Sequence, residues 1–434
     1  MPSSPDRRRP PLRARLLLAA VAVAVAILVA ELAVRALMPR GALLSPTAIE
    51  TFAARAAAER GMIQADDELG HAPVLGGRVY DEHGLLRAFP LRSGVAKQPG
   101  VARLLFLGDS VTRRASLVAP LAAFAAAVGD GSEFLNAGVE SWNPIQEVAG
   151  YFRNQRQLAA DHVVLSLHNN DLTESPVMCL RDGALTLCNP GNFVPVDVAW
   201  YGRSILYQLY VHGRHVDRLR PEHYLCRADA VAQALVRLRD EVHGRGGTLT
   251  ILVLPIFAAE RDWQAHERAS RERCLQIVQR LGVPHCDLQP ACAELADAGL
   301  PVRVVPTDPF HPNDACGAAL AFAAAEAVLG PAAVRAAPDR VLVPRGGAQT
   351  IAVAAGTAYA NRAVAVWRCG EGAVPGARAG EPLARAILDA AGRAALVVPA
   401  AAVERGALQW TVATVLAGDA VLASARPSPM VVGD

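Results

Sequence analysis

The chain has 434 residues, too many for one ordinary domain, and its 43 Lys and Arg nearly balance its 41 Asp and Glu. That balance leaves no basic footprint for nucleic acid, and no nucleic-acid partner is expected. Hydrophobic residues make up 52% of the chain, enough for a large core, although much of that share is Ala, which buries little area per residue.

The N-terminus carries Arg7, Arg8, Arg9, Arg13 and Arg15, and then an unbroken run of Leu, Ala, Val and Ile from Leu16 to Ala30. The run continues as Glu-Leu-Ala-Val-Arg-Ala-Leu-Met to Met38. A membrane-spanning helix needs roughly 20 apolar residues. The segment 16–38 meets that length if Glu31 and Arg35, four apart on one helix face, pair near the membrane surface. Arginines ahead of the run stay cytoplasmic, which places the rest of the chain outside. A cleaved signal peptide is the competing reading. Glu31 and Arg35 fall where a small-residue cleavage site would lie, so an uncleaved, single-pass signal anchor in the inner membrane is expected, with the body on the periplasmic side.

Residues 41–100 read as a polar lead-in, punctuated by Gly and Pro, with one helix around 47–60. From Arg103 the pattern becomes regular. Short apolar strands are predicted at 103–107, 133–136, 162–167, 248–254 and 283–288. Helices are predicted at 116–128, 144–159, 228–244, 259–281 and 313–329. This alternation specifies a parallel sheet with helices on both faces, an α/β domain over 101–335. The stretch 172–226 breaks the rhythm and reads as an insertion. Within it Cys179 and Cys188 flank a hairpin with Asp-Gly at its tip. A disulfide between them is expected, and the eight cysteines suit an oxidising compartment. No Cys-x-x-Cys pair exists, so no zinc site is expected. Beyond Pro331 the helices give way to short strands at 349–354, 363–368, 395–398, 408–416 and 420–424. Residues 336–434 therefore read as a small all-β, sandwich-like module.

Four polar stretches close predicted strands or open a helix. Leu107-Gly108-Asp109-Ser110 follows the first strand of the domain, and a Ser on such a turn stands at the carboxyl edge of the sheet, where ligands bind. Asn136-Ala137-Gly138 ends the second strand. His168-Asn169-Asn170-Asp171 ends the third, where an Asn amide can donate to a developing oxyanion. Asp308-Pro309-Phe310-His311-Pro312-Asn313 precedes the last helix. There a carboxylate three residues from an imidazole can fix its tautomer and leave the other ring nitrogen free to take a proton. Singly, each has an ordinary alternative: a cap, a strand-ending glycine, an Asx turn, a helix-capping loop.

Taken in chain order, the four stretches resemble the SGNH hydrolase superfamily, the GDSL-type esterases, over roughly residues 75–330. Asn143-Pro144-Ile145-Gln146-Glu147 also resembles envelope-associated members. The resemblance implies a flavodoxin-like sheet and a serine esterase needing no cofactor. It implies Ser110 as nucleophile, His311 as general base and Asp308 as the residue orienting it. The Ser110 N–H, the Gly138 N–H and the Asn170 side chain are implied as the oxyanion hole, each donor worth about 3–4 kcal/mol of barrier. The chain departs from the family pattern at Val111, where Leu is usual, and at His168, where Gly is usual. A bulkier residue at 168 narrows the acyl pocket or shifts Asn170. The expected substrate is an ester, such as an acylated envelope glycan or lipid. Two other functions fit the same residues: an O-acyltransferase working on an envelope polysaccharide, and an inactive binding module.

Overall fold

In a computed structural model of the chain, the described residues are 11–37, 61–87, 96–173, 178–181, 184–187, 204, 206–207, 221–305, 308, 310–330, 335–338, 342–343, 348–369, 378–399, 408–417, 420–424 and 428–432. Contacts divide the chain into two compact units, Met1–Arg60 with Thr186–Leu219, and Gly61–Leu185 with Arg220–Asp434.

In the first unit the apolar run forms one helix, Leu12–Leu37, of 26 residues with none buried. At 1.5 Å per residue it is about 39 Å long, enough by length and composition to cross a bilayer. Arg35 Nε donates to Glu31 Oε1 at 2.7 Å. The Ser204 hydroxyl and the Leu206 N–H donate to Glu31 Oε2 at 2.9 and 3.0 Å, so both carboxylate oxygens at this end of the helix are satisfied. The helix expected near 47–60 lies outside the described residues.

The second unit opens with an antiparallel hairpin of β1 (Ile63–Asp66) and β2 (Gly70–Pro73), inside the lead-in that the sequence left unstructured. The α/β body is built on β3 (Arg103–Leu107), β4 (Glu133–Asn136), β5 (His162–Leu167), β8 (Thr248–Val253) and β9 (His285–Asp287). Between β5 and β8 the insertion contributes β6 (Met178–Arg181) and β7 (Ala184–Leu187), which pair as the expected hairpin. The sulfurs of Cys179 and Cys188 lie outside the described residues. Cys274, Cys286, Cys292 and Cys316 are free thiols.

The five body strands are all parallel, in the order β4-β3-β5-β8-β9. The first strand in sequence is thus second in space, as in flavodoxin-like sheets, and the chain reverses its winding direction between β3 and β5. Side chains alternate across the sheet with period two. Leu104 and Phe106 enter one apolar core with the helices Val118–Ala127, Gln289–Asp297 and Asp314–Leu329. Leu105 and Leu107 enter the other with Pro144–Gly150, Ala228–Gly244 and Ala265–Leu281. Both faces are covered, which is why β3 reads as a continuous apolar run.

Three helices differ from expectation. The one expected at 144–159 is α-helical only over Pro144–Gly150, widens to a π turn at Tyr151–Gln155 and ends in a 3-10 turn at Arg156–Leu158. The one expected from 259 starts at Ala265, where Gln264 and Glu267 form a reciprocal cap. Gln289–Asp297 was not expected at all; Pro290 sits in its first turn, where a missing N–H costs no hydrogen bond.

The remaining strands are β10 (Arg335–Pro338), β11 (Leu342–Val343), β12 (Ala348–Ala354), β13 (Ala363–Cys369), β14 (Arg378–Ile387), β15 (Arg393–Pro399), β16 (Leu408–Ala417), β17 (Ala420–Ser424) and β18 (Ser428–Val432). They form a three-stranded sheet, β10-β12-β15, and a six-stranded sheet, β11-β18-β16-β13-β14 with β17 on β16. Ile351, Val353, Leu396 and Val398 of one share a core with Val364, Val366, Ala413 and Val415 of the other. The strand β14, with an internal Gly and Pro, was missed by sequence reading; a register shift between Val366 and Arg368 accommodates it against β13.

At the amino edge of the parallel sheet Arg103 is fully buried. Its Nε donates to Glu133 Oε2 at 2.6 Å, joining β3 to β4, and its Nη1 donates to the Leu158 carbonyl at 2.7 Å. Removing one partner leaves a buried charge unpaired, at a cost of about 3–5 kcal/mol. Arg103→Met is therefore expected to lower the unfolding free energy of the detergent-solubilised chain by about that amount, measured by urea titration. Arg103→Met with Glu133→Leu is expected to recover most of it. An Arg103→Met protein with an unchanged midpoint would show that the pair does not hold this edge.

Candidate active site

The site is built where β3, β4 and β5 end together. Ser110 opens the short helix Ser110–Arg113 immediately after β3, with Asp109 as N-cap accepting the Val111 N–H at 2.8 Å. Gly108 lets this turn form: a Cβ there would lie 2.1 Å from Thr112 Oγ1. The Thr112 hydroxyl donates to Ser166 Oγ on β5 at 3.1 Å, tying the turn to the neighbouring strand.

The Asp308–His311 loop returns from the far end of the chain and is pinned on both sides of the histidine. Val304 N–H donates to the His311 carbonyl at 3.1 Å and Asn313 N–H to the Val302 carbonyl at 3.0 Å. Asn313 then caps Asp314–Leu329 by accepting the Cys316 N–H at 2.9 Å. So held, His311 Nε2 lies 2.8 Å from Ser110 Oγ, while His311 Nδ1 lies 2.7 Å from Asp308 Oδ2 and 2.9 Å from Asp308 Oδ1. Ser110 is 8% exposed and His311 3%.

Charges around this trio are graded. Burial raises the Asp308 carboxyl, but the Phe310 N–H, His311 and Arg114 outweigh it and hold the carboxyl below its ordinary value. Burial and the positive charge of Arg114 push His311 below the ordinary imidazole value, against the opposing pull of Asp308. The ring is therefore neutral at neutral pH, with Nδ1–H turned to Asp308 and the Nε2 lone pair turned to the serine hydroxyl. Arg114, 3.9 Å from Asp308 Oδ2, was not singled out by the sequence. Its only signal is its place four residues after the serine.

Gly138 lies against the serine helix. A Cβ on it would meet Arg113 N at 2.4 Å and the Thr112 carbonyl carbon at 2.8 Å, so only glycine permits this approach. Its N–H donates to Asn136 Oδ1 at 2.9 Å, and Asn136 Nδ2 in turn donates to the Thr112 carbonyl at 2.8 Å. Its carbonyl accepts the Tyr80 hydroxyl at 3.1 Å. Tyr80 belongs to the lead-in, which also grips the following segment: Trp142 Nε1 donates to the His71 carbonyl, and Gln146 Nε2 to the Leu69 carbonyl. Tyr80 was invisible as a site residue because nothing in its local sequence marks it, and Asn136, although it opens the stretch Asn136-Ala137-Gly138, shows its role beside Gly138 only in the fold.

Asn170 sits on the 3-10 turn Asn169–Leu172 after β5. Next to it, His168 is buried against Phe257 and Phe310, both with ring centroids 5.8 Å away. Burial lowers the His168 pKa to about 4, against smaller upward pulls from the Pro255 carbonyl and Asn170. His168 is thus a neutral ring in a wall of aromatic side chains. Among the described residues, no group of three or more His, Cys, Asp or Glu is placed to hold a metal ion.

No family model matches the chain, and no curated protein matches it. Solved structures do. An acetylxylan esterase from Geobacillus stearothermophilus is 16% identical, over 52% of this chain and 94% of its own, with a TM-score of 0.36. An alpha/beta hydrolase from the metagenome of Lake Arreo, Spain, is 15% identical, over 55% of this chain and 99% of its own, with a TM-score of 0.37.

The backbone approach at Gly138 sets a test. Gly138→Ala forces the serine helix and the end of β4 apart, and overpacking of this kind costs about 1–3 kcal/mol. A loss in that range is expected in urea unfolding. An alanine variant as stable as the parent would mean that the two backbones are not in contact.

Proposed function

We propose that this protein is a serine ester hydrolase, with Ser110 as nucleophile, His311 as general base and Asp308 as the group that orients and stabilises the imidazole. The observation that carries the reading is the 2.8 Å approach of His311 Nε2 to Ser110 Oγ, with Nδ1 held by Asp308 at 2.7 Å. This trio stands at the carboxyl edge of a parallel sheet, at the point where the winding reverses. Nucleophile and base within hydrogen-bond reach, with the base oriented by a third group, is the arrangement acyl transfer needs.

The steps follow from the atoms. As Ser110 Oγ attacks an ester carbonyl, its proton passes to His311 Nε2, and the imidazolium is stabilised by Asp308. The carbonyl oxygen becomes an oxyanion. The Ser110 N–H, first in its helix and so without an intrahelical acceptor, is one donor to it, and the Asn170 amide is a second. The Gly138 N–H is a third only by sharing itself with Asn136 Oδ1. His311 returns the proton to the leaving alcohol, and water, activated in the same way, releases the acyl group.

His168, with Phe310 beside the catalytic histidine, favours a short acyl chain. The apolar N-terminal helix favours membrane anchoring. The arginines before it favour a cytoplasmic N-terminus, placing the catalytic part on the periplasmic side. The substrate is then an acylated envelope glycan or lipid.

The test is hydrolysis of nitrophenyl esters of graded chain length by the purified chain. Ser110→Ala and His311→Ala are each expected to lower kcat/KM by at least about 1,000-fold. Because the base must be neutral and its pKa is lowered, kcat/KM should rise with pH through a value below 6.5 and hold above it. His168→Gly is expected to improve longer acyl chains relative to acetyl. Turnover that survives both alanine variants would sink the triad. A flat chain-length profile in both wild type and His168→Gly would remove the acyl-pocket reading.

A further inference from the structure

Glu31 and its partners take no part in the ester chemistry. Along Leu12–Leu37 only Ala30, Glu31 and Val34, on one face near the carboxyl end, are half-buried; the other residues are exposed. The Glu31 carboxylate is held by groups from two parts of the chain. Arg35 Nε donates to Oε1 at 2.7 Å. The Ser204 hydroxyl and the Leu206 N–H, 173 and 175 positions away, donate to Oε2 at 2.9 and 3.0 Å. Having given its proton to Glu31, the Ser204 hydroxyl accepts the Tyr207 N–H at 3.2 Å. Ser204, Leu206 and Tyr207 are thus bonded, directly or through that hydroxyl, to one carboxylate. All of them fall in the same compact unit as the helix.

Depth follows from helix geometry. About 20 helical residues cross the roughly 30 Å of bilayer hydrocarbon. With Arg13 and Arg15 on the inner side, Glu31 falls at or just inside the outer boundary. A carboxylate at that level is costly unless paired, and this one is paired. A donor to it shares its depth to within the length of a hydrogen bond, so Ser204 and Leu206 stand close to the level of the lipid headgroups. The surrounding sequence has the composition of such a place. Residues 200–210 hold Trp200 and three of the chain's seven Tyr, Tyr201, Tyr207 and Tyr210, interleaved with Ile205, Leu206 and Leu209. Trp and Tyr concentrate at membrane interfaces, where one end of the side chain is apolar and the other wet. Residues 198–216 contain no Asp or Glu and carry Arg203 and Arg214, a balance that suits anionic headgroups.

Resting on the reading of Leu12–Leu37 as a membrane anchor, we propose that the part of the insertion around Ser204, Leu206 and Tyr207 is a second membrane contact, tied by Glu31 to the outer end of the anchor helix, with the lipid surface as its partner. The anchor alone fixes one point of the chain in the bilayer; the Glu31 carboxylate brings a second to it, 173 positions later. The binding chemistry is generic, with aromatic and aliphatic side chains for the acyl boundary and arginines for the phosphates, so no single headgroup is singled out.

The test uses the full-length chain in vesicles of phosphatidylcholine and phosphatidylglycerol whose acyl chains carry bromine either near the carbonyl or near the methyl end. Leu12–Leu37 holds no Trp, so the anchor gives no signal of its own. Brominated lipid is expected to quench tryptophan emission, more with the shallow bromine than with the deep one, and Trp200→Phe is expected to lose that quenchable component. Glu31→Ala, which removes the acceptor, is expected to shrink the component by at least about 2-fold while the chain still floats with the vesicles. Equal quenching in wild type and Trp200→Phe, with the chain afloat, overturns the proposal and leaves the anchor standing. So does a Trp200 component that Glu31→Ala leaves unchanged. A chain that stays at the bottom of the flotation gradient overturns the anchoring reading itself, and the proposal with it. Tyr207→Trp supplies a second reporter at a bonded position and decides the matter should Trp200→Phe not fold: added quenching by the shallow bromine supports the contact, and none overturns it.

Discussion

The contact on which the site depends is between two stretches of backbone. Adjacent strands lie about 4.8 Å apart, and β3 and β4 end at the same level. The helix after β3 begins at once, so its Thr112–Arg113 backbone passes directly over the end of β4, and the residue beneath it can carry no Cβ. Gly138 fills that place, and its peptide is then gripped from both sides, by Asn136 at the N–H and by Tyr80 at the carbonyl. Asn136 closes the circuit by donating to Thr112. The orientation of Ser110 is thus set by the end of the neighbouring strand as much as by its own.

Charge is handled differently at the two edges of the parallel sheet. At the amino edge Arg103 and Glu133 are buried as a hydrogen-bonded pair, which settles both charges and joins β3 to β4. At the carboxyl edge no cation is among the groups acting on the buried acids Asp109, Glu147 and Asp171, whereas Glu140 is paired with Arg113 and Asp308 has Arg114 near. Arg114 works on two groups at once. It adds to the Phe310 N–H and His311 in lowering the Asp308 carboxyl, and it adds to burial in lowering the proton affinity of the His311 ring. A low-dielectric floor around such groups makes each of these interactions larger than it would be in water.

Much of this was legible in the sequence because the α/β body writes itself in a local code. The strands β3, β4 and β5 are short apolar runs closed by polar turns, and they lie where the pattern placed them, with the helix Ala228–Gly244 matching its expected span. Ser110, Gly138, Asn170, Asp308 and His311 could be named because each sits just beyond such a run or just before a helix. Arg114 and Tyr80 could not be singled out, and Asn136 and Glu147 stood in the stretches Asn136-Ala137-Gly138 and Asn143-Pro144-Ile145-Gln146-Glu147 without a role of their own. A single Arg, Tyr, Asn or Glu is ordinary in sequence and becomes notable only when folding sets it against a partner 24 to 197 positions away, as Asn136 Nδ2 meets Thr112 and His311 feels Arg114 at the two sides of the site. The strand β14 escaped for a related reason: Gly380 and Pro382 spoil its alternation, and pairing with β13 overrides that local preference.

By itself the sequence determined the elements whose cause is local: an apolar N-terminal helix, alternating strands and helices, turns where glycine or a capping side chain is needed, and a list of chemically able residues in chain order. Tertiary structure alone decided what those residues do to one another. The 201 positions between Ser110 and His311 carry no distance information, and only the order of the strands brings the two to 2.8 Å. Likewise, a carboxyl group is acidic in any sequence; burial, with the charges of Asp171 and Asp109, is what lifts the Glu147 carboxyl above its ordinary value, and burial is a property of the packed chain.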